Sequence, residues 1–129
     1  MVINEVLIGD NPMKFMGRPT DQCQLEHMIF CKASQSESYH GGEWRYMLGE
    51  RNIFFMAPKS NESFILRSEL GASVSLCSES FGVFITAQAM LGLSVSPRYQ
   101  FLNTRRLKLI NLLSCYPSCI EIHNHLIGT

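Results

Sequence analysis

Four extended runs, residues 44–48, 53–57, 64–67 and 72–76, follow one another with only a few residues between them. Parallel neighbours need a crossover of roughly a dozen residues or more, so these runs can pair only as an antiparallel meander of about four strands. In the first run Trp44, Tyr46 and Leu48 alternate with Arg45 and Met47, which places Trp44 and Tyr46 on one face. Gly49-Glu50-Arg51-Asn52 is the expected hairpin connection, because Gly and Asn tolerate the positive φ of tight turns. Pro58 stops the second strand, and Lys59-Ser60-Asn61-Glu62 forms the next polar turn.

Helices are expected on both sides of this meander, about four in all. Residues 1–20 read as a short extended piece followed by a loop, broken by Gly9, Pro12, Gly17 and Pro19. A helix over 21–33 follows, with Thr20 or Asp21 as its cap and Leu25, Met28 and Ile29 at helical spacing. Residues 34–38 are polar and loop-like. Ser78 is the expected N-cap of a second helix that carries Phe81, Phe84, Ile85 and Met90 and ends at Gly92. Gly82, Val83, Ile85 and Thr86 make that helix weak in isolation, so it should depend on packing. A third starts at Ser96-Pro97 with Phe101, Leu102, Leu109, Leu112 and Leu113 as its apolar stripe, and Ser118 can cap a short last one beyond the Tyr116-Pro117 break.

The fold class is therefore α+β, a small antiparallel sheet packed with helices in one domain spanning 1–129. At 129 residues the chain is long enough for one real core, burying roughly two thirds of its unfolded surface. It is 46% hydrophobic and 17% charged, the composition of a compact globule. Eleven basic and eleven acidic residues cancel, which argues against both general DNA binding and acidic mimicry of DNA. Five cysteines at irregular spacings, with no signal-peptide pattern at the N-terminus, point to reduced thiols in the cytoplasm. No apolar stretch approaches the roughly 20 residues that span a bilayer.

One stretch concentrates the unusual residues. Tyr39, Gly41, Gly42, Trp44 and Tyr46 form a Tyr-x-Gly-Gly-x-Trp-x-Tyr pattern, and Phe54-Phe55-Met56-Ala57-Pro58 follows. The second helix then begins at Ser78, has Gly82 a few residues later and continues into an apolar run that contains Thr86. In order and spacing these three stretches resemble the ArdB/KlcA family of antirestriction proteins, which plasmids and other mobile genetic elements carry. The resemblance covers roughly 39–126. The family's Asn-Gly-Gly hairpin is replaced by Glu50-Arg51-Asn52-Ile53, its small-residue helix start by Glu79-Ser80-Phe81, and its acidic end by His123-Asn124-His125, which marks a divergent relative.

The resemblance implies a non-enzymatic inhibitor of host type I restriction whose partner is a host defence protein, a restriction system or an associated factor. Inhibition of another bacterial defence, such as a CRISPR effector, is the alternative it leaves open. A nucleic-acid-binding accessory using a basic helix face is a reading from the residues themselves. The motif residues read chiefly as architecture, since Trp44, Tyr46, Phe54 and Phe55 can each bury on the order of 150–250 Å². The competing reading is an aromatic contact patch, because Trp and Tyr often anchor interfaces. The turns beside them, His40 and Glu43 together with Glu50, Arg51 and Asn52, are the expected partner contacts.

Arg98, Arg105, Arg106 and Lys108 could touch phosphates or simply form the solvated face of a helix. Cys115, Cys119 and His123 are spaced four and four, but Pro117 interrupts the helix that would align them as metal ligands. A nucleophile pairing a cysteine with His27, His40, His123 or His125 has no supporting flanking pattern, and His40 beside the glycine pair is the nearest to a candidate. No glycine spacing matches a phosphate loop or dinucleotide fingerprint. No catalytic residue, metal or cofactor is expected, and a monomer is.

Overall fold

The computed structural model describes residues 4–6, 18–36, 38–49, 53–67 and 73–112. In chain order they form β1 (Asn4–Val6), α1 (Pro19–Ala33), β2 (Trp44–Leu48), β3 (Phe54–Pro58), β4 (Phe64–Arg67), β5 (Ser73–Leu76), α2 (Ser78–Leu93), a 3-10 turn (Pro97–Tyr99) and α3 (Leu102–Leu112). The α+β class expected from the sequence is the one found. The strands are divided, however, between a three-stranded antiparallel sheet in the order β1-β2-β3 and a separate β4-β5 hairpin. The short last helix expected beyond Pro117 lies outside the described residues.

The division has a specific cause at the outer edge of β3. Across β2 and β3 the Lys59 N–H donates to the Glu43 carbonyl at 2.8 Å and the Gly49 N–H to the Ile53 carbonyl at 2.9 Å. Hydrogen-bonded and non-bonded pairs alternate along an antiparallel ladder, so Phe54, Met56 and Pro58, opposite Leu48, Tyr46 and Trp44, turn their backbone groups away from β2. That outward edge is occupied by α2. The Ser78 hydroxyl donates to the Pro58 carbonyl, and the Met56 N–H donates to Thr86 Oγ1 at 3.1 Å. Between them Gly82 rests on the strand itself: a Cβ there would lie 2.2 Å from the Met56 carbonyl oxygen and 2.7 Å from the Ala57 Cα. Ser78, Gly82 and Thr86 lie at i, i+4 and i+8, so one helix face supplies all three contacts. Proline is tolerated at position 58 because the N–H it lacks would have pointed out of the ladder.

Helix α2 is consequently the centre of the molecule. All of its residues except Glu79, Gln88, Leu91 and Gly92 are buried, as expected for a helix apolar all round. It packs against β3, α1 and α3. Cys77 is its N-cap, with the thiol accepting from the Ser80 N–H at 3.5 Å. Ser78, expected in that role, sits one residue inside the helix because its hydroxyl is committed to Pro58. The helix runs one residue past Gly92, to Leu93.

Helix α1 begins at Pro19, with Arg18 extended before it and no side-chain cap. Thr20 and Asp21 lie inside the helix, so neither caps it. Asp21 instead ties down the 3-10 turn: its carboxylate accepts from Tyr99 Oη at 2.9 Å and pairs with Arg98 at 2.7 Å. The tie helps to explain why the helix expected from Ser96-Pro97 onward is split into a tight turn and α3. Gln22, Leu25, Ile29 and Ala33 form the buried stripe of α1. In α3 the buried residues are Leu102, Leu109 and Leu112, while Phe101, expected in that stripe, is exposed.

The hairpin shows the alternation of a half-buried sheet, with Phe64, Leu66, Val74 and Leu76 inward. Phe64 stacks on Phe81 of α2 at 4.5 Å between centroids. Its Ile65 backbone is also closed by hydroxyls: the Ile65 N–H donates to Ser38 Oγ at 2.8 Å, and Ser36 Oγ donates to the Ile65 carbonyl at 3.1 Å. One hydrophobic cluster joins α1, both sheets, α2 and α3.

The two glycines of α2 should respond oppositely to alanine. Gly82→Ala forces a methyl into backbone and is expected to cost about 3 kcal/mol, at the upper end for overpacking. At Gly92 the added Cβ would meet only the flexible ends of Met28, 3.6 Å away, and Lys32, 3.9 Å away, so Gly92→Ala should be neutral or stabilise by up to about 1 kcal/mol through helix propensity. Urea unfolding midpoints of the two variants measure the contrast.

Candidate partner-contact surface

Residues 39–43 carry the chain from α1 across to β2. Gly41 has φ +89° and Gly42 φ +114°, and nothing lies within 4 Å of a Cβ placed on either. The pair is therefore required for its left-handed backbone and not for close packing. His40, Gly41, Gly42 and Glu43 are all exposed.

The tryptophan next to this crossing is held from two sides. Phe30 of α1 and Tyr39 both meet Trp44 edge to face, each with ring centroids 5.6 Å away. The Trp44 indole N–H donates to Tyr39 Oη at 2.8 Å, so its polar end is satisfied within the protein. Tyr46, one step along the same face of β2, donates its hydroxyl to Glu26 Oε1 at 2.8 Å. Desolvation first, and then the hydrogen bond and the negative charge of Glu26, push the Tyr46 hydroxyl up to about 12. These contacts brace the crossing against α1.

On the opposite face of β2 lies an open groove that sequence reasoning missed. Arg45, Lys59, Ser60 and Asn61 line a space of about 390 Å³, and an adjoining one of about 380 Å³ continues past Ser63 to Cys77, Ser78 and Glu79 at the start of α2. Arg45 is half-buried, reaches Glu79 at 3.9 Å, and has a solvent-shielded Nε with no acceptor among the described residues. The only signal for it in the sequence is position: Arg45 alternates with Trp44 and Tyr46 and so faces the other side of the strand. Lys59 and Glu43 approach to 3.9 Å at the rim, an exposed pair of small energetic weight.

The other candidates are scattered. Arg98 is bound to Asp21. Arg105 lies over the Phe101 ring at 5.1 Å, and burial lowers its guanidinium pKa. Arg106 is half-buried, with a shielded Nε that has no acceptor among the described residues, and Lys108 is half-buried too. The outermost residues of α3 are Asn103, Thr104, Leu107 and Asn111. The basic residues of α3 therefore lie half-buried beside its most exposed positions, while Arg98 is exposed in the preceding 3-10 turn. Glu50, Arg51, Asn52, Cys115, Cys119, His123 and His125 lie outside the described residues. Cys23, Cys31 and Cys77 are free and exposed. Among the described residues the histidine in contact with a thiol is His27, at 3.6 Å from Cys31, whereas His40 stands on the exposed crossing. Among the described residues no three metal-ligating side chains converge, and no helix is long and apolar enough to cross a membrane.

No protein-family model matches the chain, and no curated protein does. A solved structure of the KlcA and ArdB proteins does match, with a TM-score of 0.81 at 18% identity over 98% of this chain and 96% of that one. That structure is described as showing a novel fold and antirestriction activity against type I DNA restriction systems in vivo but not in vitro. The chain has the fold of those proteins.

The Tyr46 contact carries a pH signature. Its hydroxyl is raised from an ordinary 10.0 to about 12, so the folded chain holds this proton more tightly than the unfolded chain does. The resulting stability is fully present below pH 10.0 and is lost as the pH rises through about 12. The stability difference between the native protein and Tyr46→Phe, measured by urea unfolding, should stay constant below that window and shrink across it.

Proposed function

We propose that this chain is a non-enzymatic antirestriction protein of a mobile element, acting in the cytoplasm as a monomer to protect incoming DNA from host type I restriction. The observation that carries the reading is the fold match, which extends over nearly the whole of both chains. Support comes from the motif residues Ser78, Gly82, Thr86, Met56, Ala57 and Pro58, which meet as one helix-on-strand interface. Their spacing is thus explained by architecture and carries no catalytic requirement.

A net charge of zero leaves no acidic field with which to imitate a phosphate backbone. The inhibitor therefore works through shape-specific contact with a host protein, either the restriction system or a factor associated with it. The activity of the KlcA and ArdB proteins in vivo but not in vitro fits a mechanism that needs something else in the cell. The contact surface is the exposed crossing at His40 and Glu43; Glu50, Arg51 and Asn52, the other expected contacts, belong to the connection that follows the far end of β2 and lie outside the described residues. The rigidity of the crossing comes from the aromatic brace beneath it, which reduces the ordering cost of binding.

Plating of unmodified phage on cells with and without a type I restriction system tests the proposal. Expression of this chain should restore plating on the restricting cells. The double variant His40→Ala, Glu43→Arg should fold normally and lose roughly fivefold of the protection, as two interface side chains worth on the order of 1 kcal/mol together would dictate. Unchanged restriction across several type I systems, with the protein present and folded, contradicts the reading.

A further inference from the structure

The outer face of α1 carries three side chains that the core does not use. Cys23, His27 and Cys31 are spaced four residues apart and all are exposed, opposite the buried stripe of Gln22, Leu25, Ile29 and Ala33. Free cysteine is among the most often buried side chains, so two exposed thiols on either side of one histidine call for a reason other than packing. The pairing within this row is settled by geometry. His27 Nε2 and Cys31 Sγ lie 3.6 Å apart. A tetrahedral zinc ion bound to one thiolate at about 2.3 Å and one imidazole at about 2.0–2.1 Å, with an angle of about 109° between them, separates those two atoms by about 3.5–3.6 Å.

From this match we infer that His27 and Cys31 form a two-ligand chelating site for a thiophilic divalent cation such as Zn2+. The side chains hold the ligand separation before the metal arrives, and an i,i+4 pair on a rigid helix keeps it. On binding, the Cys31 thiol gives its proton to solvent and the sulfur takes the metal. His27 offers its Nε2 lone pair with the proton on Nδ1. No electron is transferred. The two remaining positions of the tetrahedron face solvent, because both residues are exposed, and water or a further ligand can fill them. Cys23 stands two turns from Cys31, about 12 Å along the helix, too far to share the same ion. The site is independent of the antirestriction reading.

Cobalt(II) titration of the reduced full-length protein reads the site directly, because a cobalt–thiolate bond produces a charge-transfer absorption that oxygen and nitrogen ligands do not. The band should appear on adding Co2+, disappear when Zn2+ is added in competition, and be abolished by Cys31→Ser. His27→Ala should weaken Co2+ binding severalfold, and Cys23→Ser should leave it unchanged. Circular dichroism confirms that each variant is folded. Absence of the band in the native protein, or a band that survives Cys31→Ser, overturns the assignment, the second outcome by placing the metal at other thiols.

Discussion

A β-strand at the edge of a sheet exposes a row of backbone donors and acceptors, and burying that row without partners costs about 1–3 kcal/mol for each group left unmade. In this protein β3 is such an edge, and all five of its residues are buried. What makes the burial tolerable is the face of α2 formed by Ser78, Gly82 and Thr86. Two hydroxyls replace the missing strand at the Pro58 carbonyl and the Met56 N–H, and the absent side chain of Gly82 lets the helix come close enough for both. The hydrogen bonds and the close approach require one another. A larger residue at position 82 would pull both hydroxyls out of reach, and without the hydroxyls the close approach would bury unpaired polar groups.

The same device recurs at smaller scale. Ser36 and Ser38 close the Ile65 backbone in the hairpin, where another strand could otherwise add. With β3 sealed by α2, and β2 held between β1 and β3, the aromatic face of β2 becomes a fixed support on which Trp44 and Tyr46 reach α1. The exposed crossing at residues 39–43 is anchored to that support through the Trp44–Tyr39 hydrogen bond. Helix, edge strand, aromatic brace and exposed crossing thus form one chain of dependence, starting at the edge of β3.

Much of this was legible in the sequence. Short connections fix antiparallel pairing, and the alternation in 44–48 places Trp44 and Tyr46 together as the structure does. The weak intrinsic propensity of residues 78–93 correctly marked a helix that survives by packing. Ser78, Gly82 and Thr86 were legible only as motif positions, and nothing local says which strand edge they will cover. The expected continuous meander failed for this reason: nothing local distinguishes an edge that accepts another strand from one that accepts a helix. Ser78 was misread as a cap because its hydroxyl has a long-range partner, the Pro58 carbonyl, that local capping rules do not include. The groove at Arg45 and the stripping of Arg98 from the basic group by Asp21 depend on contacts between distant segments, and those only the folded chain contains.

The central claim, that hydroxyls on α2 replace a neighbouring strand at β3, is tested most directly by native-state hydrogen exchange at the Met56 amide. In the native protein this amide should exchange only through global unfolding, as slowly as amides bonded within the β2-β3 ladder. Thr86→Ser should keep that protection, and Thr86→Val, which removes the acceptor at nearly the same volume, should lose it while the ladder amides of β3 stay protected relative to the variant's own stability. A Met56 amide that exchanges in the native protein as fast as an open strand edge, or one that is equally protected in Thr86→Val, would contradict the account.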